Sequence, residues 1–488
     1  MSLTSKLGDR FKAEFMGQII AVVSSALLTL ILARILNPDG YGLLFLATSV
    51  LGTIQLFSKL GIAKSAARFI AEYKETNPSQ LPHIVRFAFI LNVVTVIIVC
   101  VSLLISHELL ATVIGEPDLA SLLSLGILFI AFGTFVTFVR IILQGFEDIK
   151  PAAALHAIDR GSRLVFAVGL VLLGYGAFGA LMGYVLAHIL VAIIGLIYIY
   201  HHHLWPKNTS TSIETGIRRR IAEYTIPLTA TSTANVLDKR VDTILIGFFS
   251  GPVGVAYYTI GKQVISFIET PMSALGFTLS PMYEVQKAKG KSETAARIYE
   301  EGLVHGLLLY IPAAAGLVLV ADPMVELFFG SNYLGAVPIL QVLSIYAVLQ
   351  SVTRLTSNGL DFLGRARERA IVKGITSVLN VALNIVLIPL IGVVGAAFAT
   401  VTTYSIYTLA NVYIIHTELN LRIIFILRRM VATLAITGVM SLPIYFTVDF
   451  INSFVGLFLV VGVGIAIWAI LAVSSGLLDI ARIISTLS

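Results

Sequence analysis

Residues 15–36 read FMGQIIAVVSSALLTLILARIL and run straight into NPDGYG at 37–42. The first stretch is apolar, with Arg34 its one charge, and a helix needs about 20 mostly apolar residues to cross the hydrocarbon of a bilayer. The second stretch is a cluster of turn formers that ends the span. The same alternation continues along the chain, with candidate spans at 15–36, 41–61, 84–106, 119–143, 152–173, 177–200, 221–250, 254–281, 303–321, 336–357, 368–389, 393–416, 424–447 and 453–473, about fourteen by the length rule. Composition agrees. Hydrophobic residues make up 57% of the 488 residues and charged residues 12%, where a soluble chain carries about a quarter. The sequence therefore predicts an all-α integral membrane protein. Met1 to Glu14 is polar and has no signal-peptide core or cleavage site, so the first run reads as a retained span. A single cysteine, Cys100, excludes an intrachain disulfide or a cysteine metal centre.

The basic residues fix orientation. Lys and Arg crowd into 1–14, 62–83, 144–151, 201–220, 282–302, 358–367, 417–429 and the tail. The alternate connections 37–40, 107–118, 174–176, 251–253, 322–335, 390–392 and 448–452 contain none, only acids such as Glu108, Glu116, Asp118, Asp322 and Glu326. By the positive-inside rule both termini face the cytoplasm. The formal net charge of +6 then reflects topology, and nucleic acid is not an expected partner.

The chain also repeats itself. Asn37-Pro38-Asp39-Gly40-Tyr41-Gly42 follows the first span and Gly251-Pro252-Val253-Gly254-Val255-Ala256 the seventh. The same offset sets Gln144-Gly145-Phe146-Glu147-Asp148 on Asn358-Gly359-Leu360-Asp361-Phe362, both expected just after a span. A slightly larger one sets Phe178-Gly179-Ala180 on Val394-Gly395-Ala396. Six spans separate the copies, so the halves run parallel, related by an axis along the membrane normal, as in many transporters. The expected organisation is a lobe at 1–220, a second at 221–418 and an extension of two helices at 419–488.

Ala33-Arg34-Ile35-Leu36-Asn37-Pro38-Asp39-Gly40-Tyr41-Gly42, the Gln144-Gly145 and Asn358-Gly359 turns, and Lys239-Arg240-Val241-Asp242-Thr243-Ile244-Leu245-Ile246-Gly247 together resemble the oligosaccharide flippases of polysaccharide biosynthesis. Their superfamily also holds multidrug antiporters and lipid II flippases. The resemblance implies two six-helix lobes around a central cavity that opens to either side in turn. It also implies a lipid-linked glycan as substrate. Two helices beyond the twelfth are similar to those of flippases for lipid-linked sugars.

Charges within spans cost about 2.5–3.5 kcal/mol each on insertion scales and so mark candidate sites. The fifth span carries Asp159, Arg160 and Arg163, with Asp159 and Arg163 four apart on one face and His156 one turn earlier. The seventh carries Asp238, Lys239, Arg240 and Asp242, and the eighth Lys262 and Glu269. Asp242 and Lys262 each lie roughly 12 Å below the outer end of their span, where they can face each other, and Arg34 either joins them or snorkels to the outer surface. Read functionally, Arg34, Arg160, Arg163, Lys239, Arg240 and Lys262 accept the phosphate of a lipid carrier. Asp159, Asp238, Asp242 and Glu269 hold those cations in place or bind a coupling proton or Na⁺. Read structurally, the same charges are ion pairs that fix packing.

Lesser signals complete the reading. His201-His202-His203 splay around a helix and read as an interfacial anchor, while His188 and His305 read as packing or cavity residues. Ala63 to Tyr73 reads as an amphipathic helix with Ile70 inward and Lys64 and Arg68 outward. Asn208-Thr209-Ser210 fits a glycosylation sequon on the wrong side of the membrane. Pro227, Pro271 and Pro312 are candidate flexing points. No P-loop, GxSxG or paired Cys/His set occurs, so no cofactor, metal or ATP hydrolysis is expected, and an enzyme such as a glycan polymerase would need larger outer connections. The expected partners are the lipid-linked glycan, membrane lipids and glycosyltransferases or a polymerase of the same pathway. A multidrug antiporter is the competing function, and the surplus of basic residues in spans five to eight speaks against it.

Overall fold

A computed structural model describes residues 3–204, 214, 216–268 and 270–478. The described residues are helical almost throughout. In chain order the helices are α1 (Leu3–Lys59), α2 (Ile62–Thr76), α3 (Leu81–Ile114), α4 (Leu119–Gly145), α5 (Ile149–Leu170), α6 (Gly176–Ile199) and α7 (Ile217–Ile268). They continue as α8 (Thr270–Ala288), α9 (Ser292–Phe329), α10 (Val337–Phe362), α11 (Ala366–Ile391), α12 (Val393–Leu419), α13 (Ile423–Thr447) and α14 (Phe454–Ser474). In a membrane no water pairs exposed backbone groups, so helices that satisfy their own are the natural spanning form.

Eleven of the described helical stretches are long and apolar enough to cross a bilayer. Some hold two crossings, because 57 residues in α1 at about 1.5 Å per residue far exceed one membrane thickness. α1 supplies two crossings, α3 to α6 four, α7 with α8 two, and α9 to α14 six. α2 is the amphipathic helix expected from the sequence: Ile70 is buried, and Lys64 and Arg68 are exposed.

The breaks inside the long helices bear on the internal repeat. Asn37 interrupts α1 at φ 55, ψ 171, and Gly251 interrupts α7 at φ 69, ψ −175. The two positions precede Pro38 and Pro252 and share one rare backbone conformation, which an L-residue adopts only under constraint. A second pair agrees: Gly176 lies at φ 53, ψ −141 before α6, and Gly392 at φ 66, ψ −154 before α12. The Gln144 and Asn358 motifs differ. α4 ends at Gly145, whereas α10 runs on to Phe362, so Asn358-Gly359 sits inside a helix and the turn comes at Leu363 and Gly364. Gly359 is small there because the Tyr283 ring packs against it.

Packing divides the chain into two compact units, Met1–Ala256 and Tyr257–Ser488. In the first, α5 packs on both α1 and α6, α4 on α1, α3 and α6, and α2 on α3 and α4. A buried cluster that includes Phe69, Ile84, Phe138, Ile142 and Val191 fills its interior. In the second, α10 packs on α8, α9 and α12, α11 on α12, and α13 on α9 and α14. There the buried Glu300 carboxylate of α9 receives the Arg422 backbone N–H at 2.6 Å and its guanidinium at 2.8 Å, pinning the α12–α13 connection. That pairing raises the pKa of Arg422 above its ordinary value.

Small residues let membrane helices approach closely, and Gly42 shows it sharply. A Cβ there would meet the Pro252 carbonyl oxygen at 1.7 Å, whereas at Gly40 the nearest neighbour would be 3.5 Å away. Gly42→Ala should therefore lower the melting temperature of the detergent-purified protein by several degrees or block its accumulation, because overpacking a tight contact costs about 1–3 kcal/mol. Gly40→Ala should melt like the parent chain.

Candidate functional site

The charged residues of α5 converge with those of three neighbouring helices inside the first unit. Asp159 is 3% exposed. Being four residues from Arg163, it lies on the same helix face. The guanidinium grips it in a fork, with Nε to Oδ1 at 3.2 Å and Nη2 to Oδ2 at 2.8 Å. The same Nη2 also reaches Nε2 of His188 on α6 at 2.5 Å. Arginine only donates, so this nitrogen accepts and the ring proton sits on Nδ1. His188, itself 3% exposed, lies 3.8 Å from Asp159 and against the Phe129 ring at 4.9 Å. Arg163 also stands 5.6 Å from the centroid of Tyr184, a cation–π distance.

The second strand of the network comes from α1. Gln55 is buried beside His188, and the space for both is Gly133 of α4. A Cβ at 133 would lie 2.6 Å from Gln55 Nε2 and 2.9 Å from the His188 ring. Gln55 Oε1 in turn accepts from Lys59 Nζ at 3.0 Å. Arg240, on the first half of α7, lays its guanidinium on the backbone of α1. It donates to the Thr48 carbonyl at 2.6 Å and occupies the room left by Gly52, whose Cβ would stand 2.3 Å from Arg240 Cζ. The charges of Arg240 and Arg163 both act on Lys59, and those of Arg140 and Arg160 act, with Asp159 and Arg163, on His156. Among the described residues, this part of the first unit thus holds Lys59, Arg140, Arg160, Arg163 and Arg240, with Arg163 in contact with Asp159.

Lys59 also lines a cleft of about 210 Å³ between α1, α2, α3 and α4, with Lys64, Asn92, Thr134 and Thr137 among its walls. At Leu60 and Gly61 the chain turns left-handed, with φ 39 and 69, carrying Lys59 to the mouth of the cleft and Lys64 to its rim.

The other expected residues fall elsewhere. Arg34 is exposed, three residues before the Asn37 break. Asp242 is buried at 3% exposure, about 200° around α7 from Arg240 by helix geometry. Lys262 belongs to the second unit, half-buried with Nζ 5.2 Å from the Tyr258 ring, whose hydroxyl bonds Thr400 at 3.0 Å. The side chains of Asp238 and Lys239, residue Glu269, and the Asn208 sequon lie outside the described residues. His305 is exposed. The three histidines go to separate partners: His203 to Asp148 at 2.7 Å, His202 to the Tyr198 ring at 4.1 Å and His201 to the Tyr200 ring at 5.5 Å. Lys59, Gln55, Arg140 and Gly133 were not singled out in the sequence, where the two cations read as ordinary span-end residues. The second unit holds another unforeseen cation, Lys373, 4.4 Å from the Tyr404 ring and 5.0 Å from that of Tyr407.

Residues 13–282, more than half of the chain, match the family described as polysaccharide biosynthesis protein. The chain belongs to that family. Residues 227–386 also match the MatE family. Among curated relatives of this chain is an uncharacterized membrane protein of Methanocaldococcus jannaschii, 26% identical over 77% of this chain and 90% of its own length. The probable low-salt glycan biosynthesis flippase Agl15 of Haloferax volcanii is 24% identical over 80% of this chain and 79% of its own. Among solved structures, the lipid II flippase MurJ in an inward closed conformation superposes with a TM-score of 0.76 at 15% identity, covering 95% of this chain and 97% of that one. An inward-facing multidrug transporter of the MATE family superposes at 0.66 and 16% identity, over 85% and 95%. The chain therefore has the fold shared by these two solved structures.

Asp159 is the counter-charge that makes Arg163 tolerable in this setting. Removing one partner of a buried ion pair costs about 3–5 kcal/mol, so Asp159→Asn should destabilise the purified protein by about 3 kcal/mol in an unfolding titration. An unchanged midpoint would mean that Arg163 is neutralised by another group.

Proposed function

We propose that this protein is a flippase that carries a lipid-linked oligosaccharide, joined to its polyprenyl or dolichyl carrier by phosphate or pyrophosphate, across the cytoplasmic membrane. The observation that carries the reading is the basic character of the first unit, where Lys59, Arg140, Arg160, Arg163 and Arg240 are half-buried and Arg163 pairs with Asp159. Half-buried cations within spans suit an anion that arrives and leaves. Guanidinium forks and lysine ammonium groups suit phosphate oxygens. The glycan head cannot pass the hydrocarbon unaided, because desolvating its polar groups costs several kcal/mol each, while the carrier's tail stays in lipid. Relatives named as probable flippases, Agl15 and AglR of Haloferax volcanii, support the same direction.

In this reading Arg34, Lys239 and Lys262 extend the cationic path. Asp159, Asp238, Asp242 and Glu269 hold cations in place or carry a coupling proton or Na⁺. The two halves act as lobes at 1–220 and 221–418, with 419–488 as an added pair of helices. The positive-inside pattern supports cytoplasmic termini. Glycosyltransferases on the cytoplasmic side would load the carrier, and a ligase or polymerase on the far side would consume it. The protein itself makes and breaks no covalent bond. A cation-exporting antiporter on the same fold would need the opposite charge balance.

Arg163→Gln and Lys59→Gln should each reduce glycan export, normalised to the folded protein in the membrane, about tenfold or more, since each removes a charged partner of the phosphate; Arg163→Gln should also lower the amount of folded protein, because Asp159 loses its partner. Parental export by both variants would overturn the assignment, and so would export of a cationic dye that either variant abolishes.

A further inference from the structure

The cleft beside Lys59 is built as a receptor in its own right. Its walls come from four helices: Lys59 at the end of α1, Lys64 on α2, Asn92 on α3, and Thr134 and Thr137 on α4. No carboxylate is among the lining residues, and among the described residues Lys64 forms no ion pair. Asn92 is 2% exposed. Its Nδ2 donates to the Ser58 carbonyl at 2.9 Å, which fixes the amide's orientation, and its Oδ1 is left with no hydrogen bond. A buried acceptor without a donor costs about 1–3 kcal/mol, and such groups are rare enough in folded proteins to ask for a missing partner. The space, about 210 Å³ where one water needs about 10–15 Å³, is large enough for a headgroup.

We propose that this cleft binds a phosphate ester that carries a neighbouring hydroxyl, in the headgroup of a lipid entering from the basic-loop side of the membrane. The phosphate sits between the Lys59 and Lys64 ammonium groups, and the hydroxyl donates to Asn92 Oδ1. Two positive charges without an acid select an anion, and the orphaned acceptor selects a hydroxyl over a methyl or a quaternary amine. The turn at Leu60 and Gly61 places this receptor at the end of the span, where a headgroup first meets the bundle. Lys59, bonded to Gln55 beside His188 and Arg163, is shared between the cleft and the deeper cationic cluster. The cleft is thus a loading site from which the phosphate passes inward. The handover rests on the flippase reading, whereas the binding site does not.

The shared chemistry has two sources: a bulk lipid such as phosphatidylglycerol, or a sugar phosphate on a polyprenyl carrier. The test uses the full chain in nanodiscs of phosphatidylcholine and measures binding of short-chain phosphatidylglycerol, of a short-chain polyprenyl hexosyl phosphate and of phosphatidylcholine itself as the hydroxyl-free control. Lys64→Gln, an exposed change, should weaken the hydroxyl-bearing ligands by about three- to tenfold. Asn92→Leu, checked for an intact melting curve, should reduce but not erase their advantage over phosphatidylcholine, since the two lysines still favour the anion. The ligand bound more tightly identifies the source. Equal affinities in the parent chain and Lys64→Gln would overturn the site, even with export intact. Loss of export in Arg163→Gln together with unchanged headgroup binding would leave both readings standing. Headgroup binding that depends on Lys64 in a chain that exports no glycan would keep the site and discard the flippase.

Discussion

The structure turns on one ion pair, Arg163 with Asp159, held between helices that a membrane would surround. A charge deep in hydrocarbon is tolerated only with a partner and a full set of hydrogen bonds. Arg163 meets that condition with a forked grip on Asp159, a bond to His188 and the face of Tyr184. These contacts draw α5 and α6 together, and Gln55 and Gly133 add α1 and α4. Lys59, Arg140, Arg160 and Arg240, all half-buried, add to the basic character of this unit. Helix packing alone would be served as well by apolar residues of similar volume.

The breaks at Asn37 and Gly251 do comparable work for the backbone. Each lets a chain turn between two crossings with almost no loop, and each puts a small residue just beyond it for close approach. That the two share one uncommon backbone conformation, and that Gly176 and Gly392 share another, speaks for descent of the two halves from one ancestral unit. An exposed loop at these points would face neither constraint.

Much of the fold was legible because a bilayer leaves few choices. Length and apolarity name a span, strict parity of Lys and Arg checks the count, and the proline-glycine turns betray the repeat. Asp159 and Arg163 could be paired from their spacing alone, since four residues is one helical turn. Lys59, Arg140, Gln55 and Gly133 were hidden for a physical reason. A cation near a span end looks like an interfacial residue, and a glycine in mid-helix looks like tolerance, until the tertiary packing that brings α1 and α4 against α6 is known. The Asn358 motif misled in the other direction: Asn and Gly favour turns, yet packing of Gly359 against Tyr283 carries α10 through them to Phe362.

The central claim is that the half-buried cations of the first unit hold a phosphate. The most direct measurement is a cryo-EM structure of the full chain in a nanodisc with a polyprenyl hexosyl phosphate. The account predicts phosphate density within hydrogen-bonding reach of Arg163 or Lys59, with the Asp159–Arg163 pair intact. Phosphate density that avoids both residues, with well-ordered side chains still paired only among themselves, would contradict it.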